Sequence, residues 1–158
     1  MSEALISGYD IRRGSGHDRA LLVKFMNRTY RELFPDGEFS HLARTVDQYF
    51  SGRTPLWWVE ANRGDNPSAI ACLWMGSAID QVTGDRASHI FLLYVRPEHR
   101  RRGIGSALIQ YAETWARNRG DRAIGLQVFT HNQPALNLYQ KLGYQSQSLS
   151  LIKPLSGE

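Results

Sequence analysis

The sequence contains a single cysteine, Cys72, which excludes an internal disulfide framework. No two histidines show His-x-x-x-His spacing, so the sequence predicts no metal site. The longest apolar run, from Ala69 to Met75, is far shorter than the ~18 residues of a membrane-spanning helix. The chain opens with Met-Ser-Glu, without a basic region or an apolar core, so we expect no export signal, no membrane partner and a cytoplasmic location.

Lysine is also scarce: of the 19 lysines and arginines, only Lys24, Lys141 and Lys153 are lysines. The net charge of the chain is +4. The remaining basic residues are arginines, whose planar side chain suits phosphate and carboxylate groups. A basic chain is compatible with nucleic acid, but such a module spreads its arginines along a face with exposed aromatics. Here the densest cluster is Arg96 with residues 100–102, at one place in the chain. This concentration favours one small phosphate-bearing ligand over nucleic acid.

Apolar periodicity predicts the order β-α-α-β-β-β-α-β-α-β. The predicted strands cover residues 9–13, 56–61, 68–79, 88–95, 123–129 and 144–152, and the predicted helices cover 18–34, 40–50, 103–119 and 133–142. Turn clusters at residues 63–67 and 83–85 separate the middle strands, which suggests an antiparallel meander. Cys72 is expected to be a buried core residue of its strand. We therefore expect one α/β domain over residues 1–158, with a mixed sheet and helices on its faces.

The segment that carries chemistry lies between a buried strand and the strongest amphipathic helix. It reads Arg-Arg-Arg-Gly-Ile-Gly-Ser over residues 100–106. Helix N-termini present unpaired N–H groups that bind phosphate, and glycines let it approach the backbone. The segment is no P-loop, because no Gly-Lys pair exists, and no dinucleotide fingerprint, because Leu108 stands where a third small residue belongs. From this segment alone, a solvated basic loop remains an alternative.

The helix that follows adds a second motif. Residues 132–144 have the form Asn-x-x-Ala-x-x-Leu-Tyr-x-Lys-x-Gly-aromatic. Together with Val95-x-Pro97 and Arg100-x-x-Gly103-x-Gly105, this resembles the GNAT superfamily of acetyl-CoA-dependent N-acetyltransferases. The resemblance spans about residues 88 to 145. It implies a mostly antiparallel mixed sheet with splayed central strands and helices on both faces.

The resemblance also implies where acetyl-CoA, the acetyl donor, binds. Its pyrophosphate is expected on the loop that opens the long helix, and its pantetheine arm on the preceding strand. Asn132 matches an asparagine that contacts this molecule, although it also fits an N-terminal helix cap. The binding residues implied in this way are Leu93, Tyr94, Val95, Arg100, Arg101, Arg102, Gly103, Ile104, Gly105, Ser106, Asn132 and Tyr139.

Two residues are candidates for catalysis. Tyr139 matches the family's tyrosine that sits near the thioester sulfur and protonates the leaving thiolate, although core packing beside Leu138 would also explain it. The position of one branch's basic carboxylate is matched by Gln127, which cannot accept a proton. His89 falls near the base of another branch, and strand alternation predicts that it shares a face with Phe91, Leu93 and Val95. Glu60, Tyr94 and a chain of waters remain alternatives as the base.

The expected function is therefore N-acetyl transfer from acetyl-CoA to a primary amine by direct attack in a ternary complex, with the backbone N–H of Val95 stabilising the oxyanion. A non-catalytic acyl-CoA sensor is the alternative, and it could dispense with Tyr139. The acceptor, a small molecule or a peptide, is not readable from the sequence. Four acidic residues in the region of the first two helices are mildly compatible with a cationic amine: Glu32, Asp36, Glu38 and Asp47. The tryptophans and the C-terminal residues Leu149, Leu151, Ile152 and Leu155 permit a homodimer.

Overall fold

A six-stranded mixed sheet organises the chain in the computed structural model, which describes residues 2–62 and 67–156. The strands are β1 (Ser2–Ile6), β2 (Tyr9–Arg13), β3 (Leu56–Ala61), β4 (Ala69–Ile79), β5 (Arg86–Val95) and β6 (Ala123–Leu126). The helices are α1 (Arg19–Leu33), α2 (Leu42–Tyr49), α3 (Ile104–Arg119) and α4 (Gln133–Lys141). Short 3-10 turns at Gly16–Asp18 and Pro97–His99 precede α1 and α3.

The strands stand in chain order, β1-β2-β3-β4-β5-β6, and only β5 and β6 are parallel. A parallel pair needs a crossover connection, and α3 supplies it. The α/β class and the mixed sheet are therefore confirmed. The strand β1 was not expected; it forms a hairpin with β2 through a turn in which Gly8 has a φ of +87°.

Two adjacent tryptophans on β3 show that helices cover both faces of the sheet. Trp58 belongs to the core formed by α1, α2 and the inner strands. Trp57 points to the other face, where its ring centroid lies 5.5 Å from that of Tyr111 and 5.6 Å from that of Trp115 on α3. Successive strand residues face opposite sides, so each tryptophan anchors one helical layer. Trp57, Trp58 and Trp74 are buried inside the fold, and the expectation that tryptophans support a dimer finds no support in them.

The described residues fall into two compact units, one up to Gln127 and one from Val128. The first holds the whole sheet with α1, α2 and α3, and the second holds α4. In the second unit residues 144–156 form neither helix nor strand, so the predicted strand over 144–152 is wrong. Leu149, Leu151 and Ile152 are almost fully exposed; their apolar spacing suits a strand, but a strand also needs a neighbour for its backbone. The single domain over residues 1–158 stays a prediction, and the predicted turn at 63–66 lies outside the described residues.

A buried carboxylate fixes the end of α3 against the sheet. The side chain of Asp121 is 0% exposed; it accepts a hydrogen bond from the Ser88 hydroxyl on β5 and one of 2.8 Å from Arg119 Nη2. Arg119 also donates to the Ser77 hydroxyl on β4 at 3.0 Å. Burial raises the pKa of the Asp121 carboxyl, but the hydrogen bonds from Ser88 and Arg119 outweigh it and hold the pKa below its ordinary value.

We expect Asp121→Asn to destabilise the protein at pH 7 by about 1–3 kcal/mol, because charge-assisted hydrogen bonds are lost in a buried place. A lowered native pKa stabilises the fold fully above the unfolded pKa of roughly 3.9, and this contribution disappears as the pH falls through the native pKa. Urea unfolding at pH 7 and at acid pH measures the free energy of unfolding of both proteins. The difference between Asp121→Asn and wild type should be smaller at acid pH. Asp36→Asn, at an exposed carboxylate, is the control. Equal stability of Asp121→Asn and wild type at pH 7 would contradict the assignment.

Candidate active site

The strands β5 and β6 separate part-way along their length. Their pairing runs from Ala87 with Ala123 to Ile90 with Leu126, where β6 ends, while β5 continues to Val95. We call this point of separation the fork. Beyond it, no described strand pairs with that side of β5. The predicted splayed strands are therefore present.

The direction of one hydrogen bond shows which backbone groups this open edge presents. Arg96 N, just after β5, donates to Ile70 O of β4 at 2.8 Å. In an antiparallel pair, alternate residues direct N–H and C=O to the same neighbour. The backbone groups of Leu93 and Val95 therefore point the other way, into the open edge. An extended ligand placed there could form strand-like hydrogen bonds with them.

A β-bulge lies at the fork. Trp74 pairs with Leu92 and Met75 pairs with Ile90, so Phe91 is an extra residue on β5. The bulge shifts the alternation of side chains by one position. Leu92 and Tyr94 consequently belong to the core beneath α1 and α2.

Because of the bulge, His89 lies on the face of the sheet opposite to the one predicted. The imidazole lies 5.5 Å from the Phe91 ring, whose centroid is 4.8 Å from that of Trp74 in the α1–α2 core. His89 and Phe91 therefore share a face with Leu92 and Tyr94. The expectation that they share it with Leu93 and Val95 is wrong, because simple alternation does not pass through a bulge. Burial lowers the pKa of His89, so its imidazole is neutral at pH 7 and able to accept a proton.

The N-terminus of α3 presents unpaired amides at the far end of β5. The first helical hydrogen bond joins Ala107 N to Gly103 O at 3.0 Å, which leaves the amides of Ile104, Gly105 and Ser106 without a helical acceptor. Arg101 and Gly103 both have left-handed backbones, with φ of +63° and +83°. Such turns direct successive N–H groups into a concave surface that binds anions. The side chain of Ile104 is buried, so only its backbone is available to a ligand.

The three arginines of this loop have different surroundings. Arg100 Nε donates to Val95 O at 2.7 Å, and its Nη2 donates to the Glu32 carboxylate of α1 at 2.7 and 3.0 Å. Arg102 Nη1 donates to the hydroxyl of Tyr9 at 2.8 Å. Within residues 2–62 and 67–156, the Arg101 side chain has no hydrogen-bond or ion-pair partner. Arg101 is thus the loop arginine that is available to a phosphate, whereas Arg100 and Arg102 shape the loop.

Tyr9 and Glu32 anchor the loop to the first part of the chain, a role that no local sequence pattern predicts for either residue. The Tyr9 hydroxyl also lies 2.8 Å from His99 Nδ1, which ties the turn before the loop to β2. Tyr94 Oη donates to Glu32 Oε1 at 2.9 Å. Burial and the Glu32 carboxylate raise the pKa of Tyr94 to about 12, so this phenol is a poor base at neutral pH.

The other alternative base, Glu60, lies far along the sheet from His89. Its neighbour Val59 aligns with Ala71, which aligns with Val95, whereas His89 aligns with Gly76. The separation is roughly 15–20 Å at about 3.3 Å per strand residue. Glu60 is also held by Arg12, whose Nε donates to it at 2.9 Å.

In the second unit, the motif residues belong to α4. Asn132 caps this helix, with its side chain accepting from Ala135 N at 3.4 Å. Tyr139 is 8% exposed, and its ring centroid lies 5.4 Å from that of Tyr144. Burial raises the pKa of Tyr139 to about 12, which keeps the phenol protonated.

Two other expectations concern residues of the first unit. Cys72 is fully buried, and burial raises the pKa of its thiol, so the predicted core role is confirmed and the thiol is unreactive. Gln127 directly follows the last paired residue of β6 and is exposed.

Among the described residues there is no cluster of three or more His, Cys, Asp or Glu side chains that could hold a metal ion. None of the described helices has the length and apolar character needed to cross a bilayer.

Comparison with known proteins decides the family. The model of the acetyltransferase (GNAT) family matches residues 21–144. The chain belongs to the GNAT family. Over 125 residues it is 30% identical to N-acetyltransferase family 8 member 3 of Rattus norvegicus, covering 79% of this chain and 52% of that protein. An uncharacterised N-acetyltransferase of Methanocaldococcus jannaschii is 33% identical over 81 residues, or 51% of this chain and 34% of that protein. The chain thus spans about half or less of the length of these relatives.

A solved structure shows the same fold. The crystal structure of a predicted acetyltransferase from Clostridium acetobutylicum, with acetyl-CoA, superposes with a TM-score of 0.73 at 20% identity, covering 93% of this chain and 96% of that one. This GNAT chain therefore has the fold of that solved structure. The roles of its individual site residues stay predictions.

The two ends of α3 offer a matched test of the anion site. Gly103 and Gly120 both have left-handed backbones, with φ of +83° and +94°, and a Cβ would meet no atom within 4 Å at either. Alanine at each position costs about 1–2 kcal/mol of backbone strain. We expect Gly103→Ala to weaken coenzyme A binding roughly ten-fold or more, since one lost hydrogen bond to a charged group is worth about 1.5–3 kcal/mol. Gly120→Ala should leave binding unchanged. Calorimetric titration measures both, and a folded Gly103→Ala protein with wild-type affinity would remove the site from this loop.

Proposed function

We propose that this GNAT protein transfers an acetyl group from acetyl-CoA to a primary amine by direct attack within a ternary complex. The observation that carries the proposal is the continuity of the open edge of β5 with the unpaired amides of α3. An elongated donor can pair with the backbone of Leu93 and Val95 and reach the helix N-terminus with its pyrophosphate. Arg101 adds a positive charge at the same place.

The reaction needs one proton removed and one supplied. The neutral amine nitrogen attacks the thioester carbonyl carbon, the new C–N bond forms, and the C–S bond breaks with its electron pair on sulfur. The proton lost by the nitrogen passes to His89, which is neutral at pH 7 because burial lowers its pKa. Backbone N–H groups of the open edge close to the fork are the proposed donors to the oxyanion. The N–H of Val95 is not among them, because Val95 lies six strand residues from His89, roughly 20 Å at about 3.3 Å per residue.

Tyr139 is proposed to act on the leaving sulfur. Its phenol, with a pKa of about 12, holds its proton more tightly than a thiol of pKa ~8.5. Complete proton transfer to the thiolate is therefore unfavourable, and a hydrogen bond to the developing charge is the role that suits this group. Final protonation of the thiolate then comes from solvent.

Release of free thiol from acetyl-CoA in the presence of amines tests the proposed function. Amine-dependent thiol release together with an N-acetylated product supports it. Coenzyme A binding without release for a broad panel of amines and peptides would favour a non-catalytic acyl-CoA sensor. The cytoplasmic location and the oligomeric state stay predictions.

Tyr139→Phe should lower turnover at saturating substrates by about 10²-fold, the usual effect of removing one donor to a developing negative charge. The Michaelis constant for acetyl-CoA should change little, because the hydrogen bond strengthens only as the C–S bond breaks. Tyr144→Phe, at the ring that packs against Tyr139 in the same unit, is the matched control. Turnover of Tyr139→Phe within a few-fold of wild type would exclude this role.

His89→Ala should change the pH dependence of kcat/KM. With an amine of pKa about 9, log kcat/KM rises with pH with a slope of one below that pKa, because only the neutral amine attacks. Below the pKa of the enzyme base the plot becomes steeper, because the base must lose a proton as well. In the wild type the steeper limb should begin below the ordinary histidine pKa of ~6.5, because burial lowers the pKa of His89. His89→Ala should be slower and keep a slope of one throughout. A second slope that persists in His89→Ala would assign the base elsewhere.

A further inference from the structure

The space beside His89 is shaped by glycine on both neighbouring strands. His89 pairs with Gly76 on β4 and with Gly125 on β6. Directly paired residues point to the same face of a sheet, so neither neighbour places a side chain beside the imidazole. A Cβ on Gly125 would meet no atom within 4 Å, which leaves open space on that flank. On the other flank, a Cβ on Gly76 would lie 2.6 Å from the Phe91 ring.

Aromatic rings line the flank on the side of Gly76. Phe91 lies on Trp74, with 4.8 Å between ring centroids, and 5.9 Å from Tyr49 at the end of α2. Phe91 is 37% and Tyr49 is 48% exposed, so both rings present aromatic surface to solvent. We call Tyr49, Trp74 and Phe91 the aromatic shelf. It adjoins the imidazole, and it lies at the fork.

Two of the four acidic residues that could have attracted a highly charged amine are paired with arginines. Glu32 is bound by Arg100 and Tyr94, and Asp47 is bound by Arg19. Glu38 accepts hydrogen bonds from the backbone and the hydroxyl of Ser40. The expectation that this region suits a cationic acceptor therefore rests on two of its four carboxylates, Asp36 and Glu38. The exposed surface beside His89 is aromatic.

We propose that the aromatic shelf binds the acceptor and that the acceptor is an amine with an aromatic group a few bonds from its nitrogen. The inference rests on the proposed acetyl transfer. The ring of the acceptor packs on Phe91 and Tyr49, which directs its nitrogen to His89. Aromatic pairs prefer the offset and edge-to-face geometries that the shelf rings already adopt with each other. The nitrogen then gives up its proton to His89 as it takes the acetyl group from sulfur.

The first experiment compares 2-phenylethylamine, n-hexylamine and ethylamine by thiol release. We expect kcat/KM to fall in that order. Phe91→Leu and Tyr49→Leu should each lower kcat/KM for 2-phenylethylamine by roughly 3- to 10-fold more than they lower it for ethylamine, the range of one aromatic pair. Tyr111→Leu is the matched control. Tyr111 packs against the buried Trp57 on the opposite face of the sheet, just as Phe91 packs against the buried Trp74. Equal kcat/KM for the three amines, or an equal loss in Tyr111→Leu, overturns the shelf.

A second variant tests the open flank without removing a ring. Gly125→Val adds a β-branched side chain, which suits a strand, to the space beside His89. It should reduce kcat/KM for 2-phenylethylamine more than for ethylamine. An equal effect on both amines would indicate a general disturbance of the strand and count against the shelf.

A binding measurement separates this inference from the proposed function. Calorimetric titration of 2-phenylethylamine into the protein saturated with coenzyme A needs no chemistry. Binding that weakens in Phe91→Leu and persists in Tyr111→Leu supports the shelf even where no amine is acetylated. Thiol release with ethylamine but no binding of 2-phenylethylamine overturns the shelf and retains the transferase.

Discussion

The end of pairing between β5 and β6 is the constraint on which the site depends. A sheet interior satisfies both sides of every strand, so an internal strand normally has no backbone group to offer a ligand. Beyond the fork, Leu93 and Val95 direct N–H and C=O groups to a side where no described strand pairs. Side chains at the end of the open edge hold its backbone in place. Arg100 holds Val95 O and is itself held by Glu32, so α1 braces the strand that a ligand would pair with.

The same loop separates two uses of arginine. A guanidinium can meet a phosphate or satisfy carbonyl and carboxylate oxygens of the protein, but one side chain cannot do both in a single geometry. Arg100 and Arg102 are turned inward, to Glu32 and Val95 and to the Tyr9 hydroxyl. Their charge still contributes to the potential at the helix N-terminus, where the unpaired amides are the proposed hydrogen-bond donors to a phosphate. Three adjacent arginines in the sequence thus correspond to one available side chain and two that position the loop.

Local pattern predicted most of the elements, because each signal was contained in a short stretch. The bounds of α3 follow from the left-handed Gly103 and Gly120 at its ends, and β3 from the run of Leu56 to Ala61. The bulge at Phe91 could not be read, since an extra strand residue changes pairing without changing composition. Glu32 and Arg100 are 68 positions apart, and no local pattern joins them. Glycine at 76 and 125 was a readable signal, because glycine inside a strand marks a bulge or a close approach.

The bulge also decides what His89 can do. With simple alternation, a residue six positions before Val95 would share its face, toward α3. The additional residue at Phe91 reverses that relation and turns the imidazole toward the face covered by α1 and α2, next to Phe91, whose ring contacts Tyr49 and Trp74. One strand therefore carries the proposed proton acceptor on one face, unpaired backbone groups along its edge and, through the following loop, the proposed phosphate site at its end. The one extra residue at the bulge determines which face of the sheet each of these side chains occupies. A regular strand of the same sequence would place His89 on the opposite face.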